Sequence, residues 1–166
     1  LADVRGVKVE CADIQNLPYP DASFDVVIAN MMLYHVPNIA RGLSEVRRVL
    51  RRDGCFFCLT YGENGLGRFI DDVMADLGSH MVQQDSFTLQ NGETQLKPFF
   101  SEVTRMDYTD ELRVTDARDL ADYIRSMQGV SLSKSDDDEL LNRLNARRQD
   151  GAIRVHKEYG CFIARV

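Results

Sequence analysis

Hydrophobic positions along the first sixty residues predict strands that alternate with a helix. Residues 24–29 form an apolar run of the kind that parallel sheets bury on both faces. A β-branched run at residues 7–11 predicts an earlier strand, and residues 55–61 predict a later one. Between these strands Pro37 suits the first turn of a helix. Apolar residues then recur at helical spacing, and Asp53-Gly54 is expected to end the helix.

The second half of the chain carries weaker signals of the same kinds. A helical period marks residues 69–77, and residues 99–108 predict a strand. Asp116 is expected to cap a helix that ends near residue 127. Ser135, followed by Asp138, predicts a capping box for a helix that reaches residue 148. Residues 153–166 predict a strand pair or one long strand interrupted near Gly160.

Together these elements predict an α/β protein. Short strand, helix, strand units imply parallel strands joined by right-handed crossovers, with helices on both faces of the sheet. The chain has 166 residues, of which 44% are hydrophobic and 28% charged, and this composition suits one globular domain with one core.

Charge and hydropathy exclude several kinds of partner. The formal net charge of −6 argues against a general affinity for nucleic acid, which requires clustered Lys and Arg. The sequence contains no apolar run close to the roughly 20 residues that span a bilayer. We therefore expect a cytoplasmic protein that binds neither nucleic acid nor membrane.

The cysteines do not predict a metal site. Cys55 and Cys58 lie three positions apart on a predicted strand, where such side chains point to opposite faces. We interpret them as reduced, buried structural thiols and extend that interpretation to Cys11 and Cys161. His80 and His156 lack an acidic or thiol partner at ligand spacing, so both are interpreted as structural or surface residues.

A longer motif carries a family resemblance. Residues 13–27 read DIQNLPYPDASFDVV, residues 30–36 read NMMLYHV, and residues 45–50 read EVRRVL before the Asp53-Gly54 turn. This joint pattern resembles the class I S-adenosylmethionine-dependent methyltransferases, and in particular the type 11-like group that includes many small-molecule enzymes. The resemblance implies a Rossmann-like methyltransferase sheet with strand order 3-2-1-4-5-7-6. It also implies S-adenosylmethionine as cofactor and a small molecule as methyl acceptor.

The resemblance also assigns residues to a cofactor site. It implies that the Asp13 carboxylate accepts a hydrogen bond from the adenine amino group and that the Ile14 amide contacts a ring nitrogen. Asn30, at the end of the following strand, is expected to contribute backbone contacts to the methionine part of the cofactor. This placement agrees with the general rule that ligands bind at the carboxyl ends of strands in open α/β sheets. The alternative for Asp13 is that it only caps a turn.

Catalytic candidates follow the same strand. Tyr34 and His35 are expected at the mouth of the pocket, where either residue would orient the acceptor or take its proton. The alternative is that His35 packs or bonds locally. Tyr61, at the end of the third predicted strand, is a candidate for the pocket wall. Methyl transfer gains chiefly from proximity and orientation, so the absence of a catalytic dyad or triad is expected.

Two parts of the family pattern are missing from the sequence. These are the glycine-rich loop after the first strand and the acidic residue that ends the second strand. Residues 62–67 are glycine-rich but follow the wrong strand. We therefore expect residues 1–166 to be a partial domain, from strand 3 onward, that binds S-adenosylmethionine weakly or not at all and is inactive alone. Bare strand edges at residues 7–11 and 24–29 would then lead the chain either to close the gap itself or to form a homodimer through sheet edges or exchanged elements.

Two other interpretations remain open. The chain is alternatively a truncated, non-catalytic homologue that acts as a binding or assembly module through its exposed edge. A nucleotide-binding α/β oxidoreductase is a weaker possibility, disfavoured by the Leu-Pro-Tyr-Pro turn and by the lack of a dinucleotide fingerprint.

Overall fold

The computed structural model describes residues 6–78, 85–127 and 129–166, so His80 lies outside the described residues. Four strands, five α-helices and one 3-10 turn follow one another along this part of the chain. In order they are β1 (Phe24–Asn30), the 3-10 turn (Leu33–His35), α1 (Ile39–Val49), β2 (Leu50–Tyr61), α2 (Leu66–Met74), α3 (Gly92–Leu96), β3 (Glu102–Val114), α4 (Ala117–Arg125), α5 (Lys134–Ala146) and β4 (Ile153–Arg165).

The four strands form one sheet in the order β1-β2-β4-β3. β1 and β2 are parallel and are joined by α1, as the strand, helix, strand pattern predicts. β4 lies between β2 and β3 and is antiparallel to both. This order matches the 4-5-7-6 portion of the sheet order that the family resemblance implies.

Helices cover both faces of the sheet. On one face, Leu43 and Val46 of α1 pack with Phe56 of β2 and Phe162 of β4 in a fully buried cluster. On the other face, α2, α4 and α5 pack with Ile153 and other residues at the start of β4. No helix of the described residues is long and apolar enough to cross a membrane.

The junction between α1 and β2 differs from the prediction. The helix is capped by Asn38, whose side chain accepts a hydrogen bond from the Arg41 amide, so Pro37 precedes the helix. The helix ends at Val49, and β2 begins at once. Asp53-Gly54 therefore lies within β2, where a bulge absorbs the extra residues between the two paired regions of β1 and β2.

The later elements are close to the predicted ones. Asp116 caps α4 as expected, by accepting a hydrogen bond from Arg118. The capping box of α5 lies two residues earlier than predicted, because Ser133 caps the helix and Asp136 is its partner. β4 runs without interruption through Gly160, whose lack of a side chain lets Leu89 and the Met106 carbonyl approach closely.

The predicted strand at residues 7–11 is wrong. Only Val7 makes an isolated bridge, and residues 8–11 have no regular structure. A β-branched run becomes a strand only where another strand pairs with it, and none of the described strands does so here. Of the two bare edges predicted, the described sheet therefore has one, along β1.

The thiols follow the prediction except at Cys11. Cys55 and Cys58 are buried on opposite faces of β2, while Cys161 is partly buried. Burial raises the pKa of the Cys58 thiol well above its ordinary range. Cys11 is exposed, because the segment that carries it does not enter the sheet.

Candidate functional site

The Leu-Pro-Tyr-Pro turn is fixed to α1 by one arginine. The Nη1 atom of Arg48 donates to the carbonyl of Tyr19 at 2.8 Å, and Nη2 donates to the carbonyl of Leu17 at 3.1 Å. The amide of Leu17 in turn donates to Glu45 Oε2 at 2.9 Å. A turn with two prolines has few amides with which to bond itself, so the helix supplies the partners that its backbone needs.

Arg48 and Glu45 hold each other in place for this contact. Arg48 donates from Nε and Nη2 to the two carboxylate oxygens of Glu45, at 2.9 and 2.8 Å. These charge-assisted bonds lower the pKa of Glu45 to about 2 and raise the pKa of Arg48. Both residues stay ionised, and the turn is held in one position at the start of β1.

Asp13 and Gln15 form a compact turn just before that anchor. The Oδ1 atom of Asp13 accepts the Gln15 amide at 2.9 Å, and the Asp13 carbonyl accepts the Asn16 amide at 2.9 Å. The first of these bonds is the main reason that the pKa of Asp13 is lowered. The turn-capping role is therefore present in the geometry.

The same turn is tied to the start of α1 and positions Ile14. Gln15 accepts the Asn38 amide at 3.0 Å through its side chain and Arg41 Nε at 3.0 Å through its carbonyl. The side chain of Ile14 packs against the core cluster beside Gly42. Asp13 remains exposed at the surface of this rigid turn.

Asn30 ends β1 at the carboxyl edge of the sheet. It pairs with Leu59 of β2, and its side chain is exposed. The next residue, Met31, has a φ of 52° and donates its amide to the Leu59 carbonyl at 3.1 Å. This left-handed residue turns the chain sharply away from the sheet and into the 3-10 turn.

Tyr34 and His35 lie together on that 3-10 turn. Their ring centroids are 4.4 Å apart, and the Tyr34 ring lies 4.7 Å from the ring of Tyr61. Burial is the main cause that raises the pKa of Tyr34, so its hydroxyl stays neutral and is able to donate a hydrogen bond. His35 is exposed.

Strand pairing adds two tyrosines that the sequence analysis missed. Tyr61 of β2 lies opposite Tyr159 of β4, and Tyr159 lies opposite Tyr108 of β3. Directly opposed residues point to the same face of a sheet, so these three side chains form a row. No local sequence pattern predicts the register between strands so distant in sequence. Of these three tyrosines, the sequence analysis named only Tyr61 as a candidate for the pocket wall.

The glycine-rich loop after β2 closes around a carboxylate of this same chain. Asn64 donates its amide to Glu158 Oε2 at 2.7 Å, and Gln90 Nε2 donates to Glu158 Oε1 at 3.0 Å. A Cβ atom at Gly62 would lie 2.0 Å from Glu158 Oε2. The loop is therefore filled by Glu158, which supports the interpretation that it does not replace the missing cofactor loop.

The described residues fit the adenine part of S-adenosylmethionine. A carboxylate offers about four acceptor positions, and the Asp13 carboxylate accepts bonds only from Gln15 among the described residues. The Ile14 amide donates to no acceptor among the described residues. An exposed acceptor beside an open amide donor matches the amino group and ring nitrogen of an adenine edge. The described residues contain no group of three His, Cys, Asp or Glu side chains able to hold a metal ion.

Comparison with known proteins identifies the class of this fold. The structure resembles the crystal structure of the YcgJ protein from Bacillus subtilis with a TM-score of 0.57 and 15% sequence identity, covering 93% of this chain and 68% of that one. At this identity the likeness concerns the fold, which is the Rossmann-like fold of methyltransferases.

Sequence comparison identifies the family. Residues 1–58 match a family described as "Methyltransferase domain". A malonyl-[acyl-carrier protein] O-methyltransferase of Halorhodospira halophila is 35% identical over 63 residues, which cover 38% of this chain and 21% of that protein. A 27-O-demethylrifamycin SV methyltransferase of Amycolatopsis mediterranei is 50% identical over 48 residues, covering 29% of this chain and 18% of that protein.

The family match over residues 1–58 and the likeness in fold together support the interpretation of this chain as a class I S-adenosylmethionine-dependent methyltransferase. The matched segments span about a fifth of the length of these two relatives. The family prediction is therefore confirmed. The assignments of Asp13, Ile14, Asn30, Tyr34 and His35 remain predictions.

Proposed function

We propose that this protein takes part in S-adenosylmethionine-dependent methyl transfer to a small-molecule acceptor, and that this chain supplies the adenine side of the cofactor site. Asp13 accepts a hydrogen bond from the adenine amino group, and the Ile14 amide donates to the ring. Asn30 contributes backbone contacts to the methionine part. The observation that carries the proposal is the Asp13 turn, which is hydrogen-bonded to the start of α1 while its carboxylate stays exposed and the Ile14 amide donates to no acceptor among the described residues.

The residues after β1 serve the acceptor. The bound cofactor supplies an activated methyl group on a sulfonium, so the protein need only bring the acceptor atom into line with it. Tyr34, with its raised pKa, donates a hydrogen bond that orients the acceptor. His35 is exposed beside it and takes the proton that the acceptor atom loses.

We place the protein in the cytoplasm and expect no nucleic-acid or membrane partner. Four free cysteines, with Cys11 exposed, suit a reducing compartment. The net charge of −6 opposes binding to phosphate backbones.

Adenosine and S-adenosylmethionine titrations followed by amide nuclear magnetic resonance test the cofactor site even at low affinity. We expect saturable shifts at the amides of residues 13–15 with a dissociation constant above the micromolar range, since the glycine loop of the family is absent from the sequence. Asp13→Asn should abolish these shifts, and Asp119→Asn, an exposed aspartate on α4, should leave them unchanged. Shifts that persist in Asp13→Asn would overturn the site, and micromolar affinity would overturn the expectation of weak binding.

The edge of β1 favours assembly as a second candidate function. Val26 is 49% exposed and Ile28 is 65% exposed on this strand, and the described sheet leaves its outer edge unpaired. Unpaired edges pair readily with another strand, so we propose a homodimer through β1. Sedimentation velocity should give a dimer that Ile28→Lys converts to a monomer. The control Val9→Lys changes a valine that is 46% exposed outside the sheet, and a wild-type monomer would refute the proposal.

A further inference from the structure

Four tyrosines form a row that begins after β1 and crosses β2, β4 and β3. The row begins with Tyr34, whose ring centroid lies 4.7 Å from that of Tyr61. It continues through Tyr159 to Tyr108, which are paired in register with one another. The chain has only six tyrosines, so two-thirds of them lie in this row.

The row is open to a ligand. Tyr34, Tyr61 and Tyr159 are partly exposed, and Tyr108 is 64% exposed. Neighbouring strands lie about 4.8 Å apart, so the three tyrosines on strands span about 10 Å. The surface is therefore elongated, and it starts four residues after Asn30, at the proposed cofactor end.

The charges beside the row cancel. The ammonium of Lys157 lies 5.1 Å from the ring centroid of Tyr159 and is hydrogen-bonded to Asp110. A cationic ligand would have to compete with Lys157 for this ring and would find Asp110 already neutralised. An anionic ligand would meet the same paired lysine. The row therefore favours a neutral ligand that stacks on several rings in succession.

We propose that the tyrosine row is the acceptor site and that its acceptor is a planar, neutral aromatic molecule carrying a hydroxyl group. This inference rests on the proposed function and adds the class of substrate. Offset or tilted aromatic pairs are favourable, and each ring of the row offers one such contact. Tyr34 lies where the hydroxyl of the bound ring would meet the catalytic end of the row. Tyr159 and Tyr108 bind the remote part of the molecule.

The test is equilibrium dialysis of the whole chain with 2-naphthol, without cofactor. We expect saturable binding of 2-naphthol and at least tenfold weaker binding of its saturated analogue, decahydro-2-naphthol, which has the same hydroxyl but no aromatic face. Tyr61→Leu and Tyr159→Leu should each weaken 2-naphthol binding about three- to tenfold, while Tyr61→Phe should bind like wild type. The matched control is Tyr123→Leu, an exposed tyrosine on α4 outside the row.

Three results would overturn the inference. These are equal affinity for the saturated analogue, wild-type affinity in the leucine variants when circular dichroism shows them folded, and displacement of 2-naphthol by choline. If a leucine variant does not fold, the comparison of the two naphthols on wild type still decides. Asp13→Asn should bind 2-naphthol normally. If the protein does not bind 2-naphthol but still shows the amide shifts with adenosine, only this inference is refuted. If it binds 2-naphthol but shows no amide shifts with adenosine, only the cofactor site is refuted.

Discussion

Arg48 forms a bidentate contact with Glu45, three residues earlier on α1, with donor to acceptor distances of 2.9 and 2.8 Å. Through this pair the helix holds the carbonyl of Leu17 and the carbonyl of Tyr19. The Leu-Pro-Tyr-Pro segment that carries the family resemblance is thus positioned by the helix that follows it in the sequence. Its geometry depends on two charges that are both fixed at neutral pH.

Glu45→Gln should lower the stability of the protein, and the difference from wild type should depend on pH. The folded-state pKa of Glu45 is about 2, against 4.5 for the free side chain. Because folding lowers this pKa, the ionised Glu45 carboxylate stabilises the folded state. This contribution is complete above about pH 4.5 and is lost as the pH falls towards 2. Urea unfolding at several pH values should therefore give the largest difference at pH 7 and a smaller one near pH 3.

The control for that experiment is Glu139→Gln. Glu139 pairs with Arg143 in an i,i+4 arrangement on α5, and its side chain is 47% exposed. An exposed pair of this kind contributes little, so the variant should unfold close to wild type at every pH. A constant difference between Glu45→Gln and wild type from pH 7 to 3 would contradict the role of ionisation.

Two helical glycines should respond to alanine in opposite directions. A Cβ at Gly42 would meet the nearest atom of Ile14 at 3.5 Å, which is ordinary contact, and Gly42→Ala should stabilise α1 by about 1 kcal/mol. A Cβ at Gly92 would lie 2.5 Å from the buried ring of Phe162, so Gly92→Ala should destabilise the fold by about 1 to 3 kcal/mol. Denaturant unfolding of both variants measures the two signs, and equal signs would refute this account of the packing.

The capping of α5 distinguishes two overlapping sequence patterns. Ser133 accepts the Asp136 amide at 3.2 Å and donates to the Asp136 carboxylate, whereas Ser135 lies within the first turn. Ser133→Ala should therefore cost about 1 kcal/mol of unfolding free energy, and Ser135→Ala less than about 0.5 kcal/mol. Thermal unfolding of the two variants compares them directly. A larger loss for Ser135→Ala would place the cap where the sequence analysis predicted it.

Thiol labelling should separate Cys11 from the other cysteines. The thiolate is the reactive form, and burial both hides Cys58 and raises its pKa. In the folded protein a disulfide reagent should react quickly with one thiol per chain, and Cys11→Ser should remove that fast phase. Denaturant should expose all four thiols of the wild type. A fast phase that survives in Cys11→Ser would show that another cysteine is accessible.

Local patterns predicted the elements whose stability is local. The apolar run of β1, the helical spacing of α1 and the capping aspartate of α4 each required only neighbouring residues, and the structure has all three. The two capping-box patterns at the start of α5 overlap, and the earlier one adds two residues to the helix while Leu140 and Leu144 stay in the core. Sequence spacing alone does not choose between them.

Pairing over long distances explains the remaining differences. The β-branched residues 7–11 suit a strand, but strand formation depends on a partner that no local pattern reveals. The row of Tyr61, Tyr159 and Tyr108 arises from strand register between residues that lie 98 and 51 positions apart in the sequence. The contact of Glu158 with Asn64 of the glycine-rich loop joins residues 94 positions apart. The candidate site was therefore predicted where it follows β1 and missed where β3 and β4 complete it.

The position of β4 sets the order in which this protein is able to finish folding. β1, α1 and β2 form a local unit, whereas in the described sheet β3 pairs only with β4, which follows it in the sequence. During synthesis β3 has no pairing partner in the described sheet until β4 has left the ribosome. A premature stop codon before residue 153 would therefore leave β1 and β2 paired and β3 without a partner in this sheet. It would also remove Tyr159 from the tyrosine row.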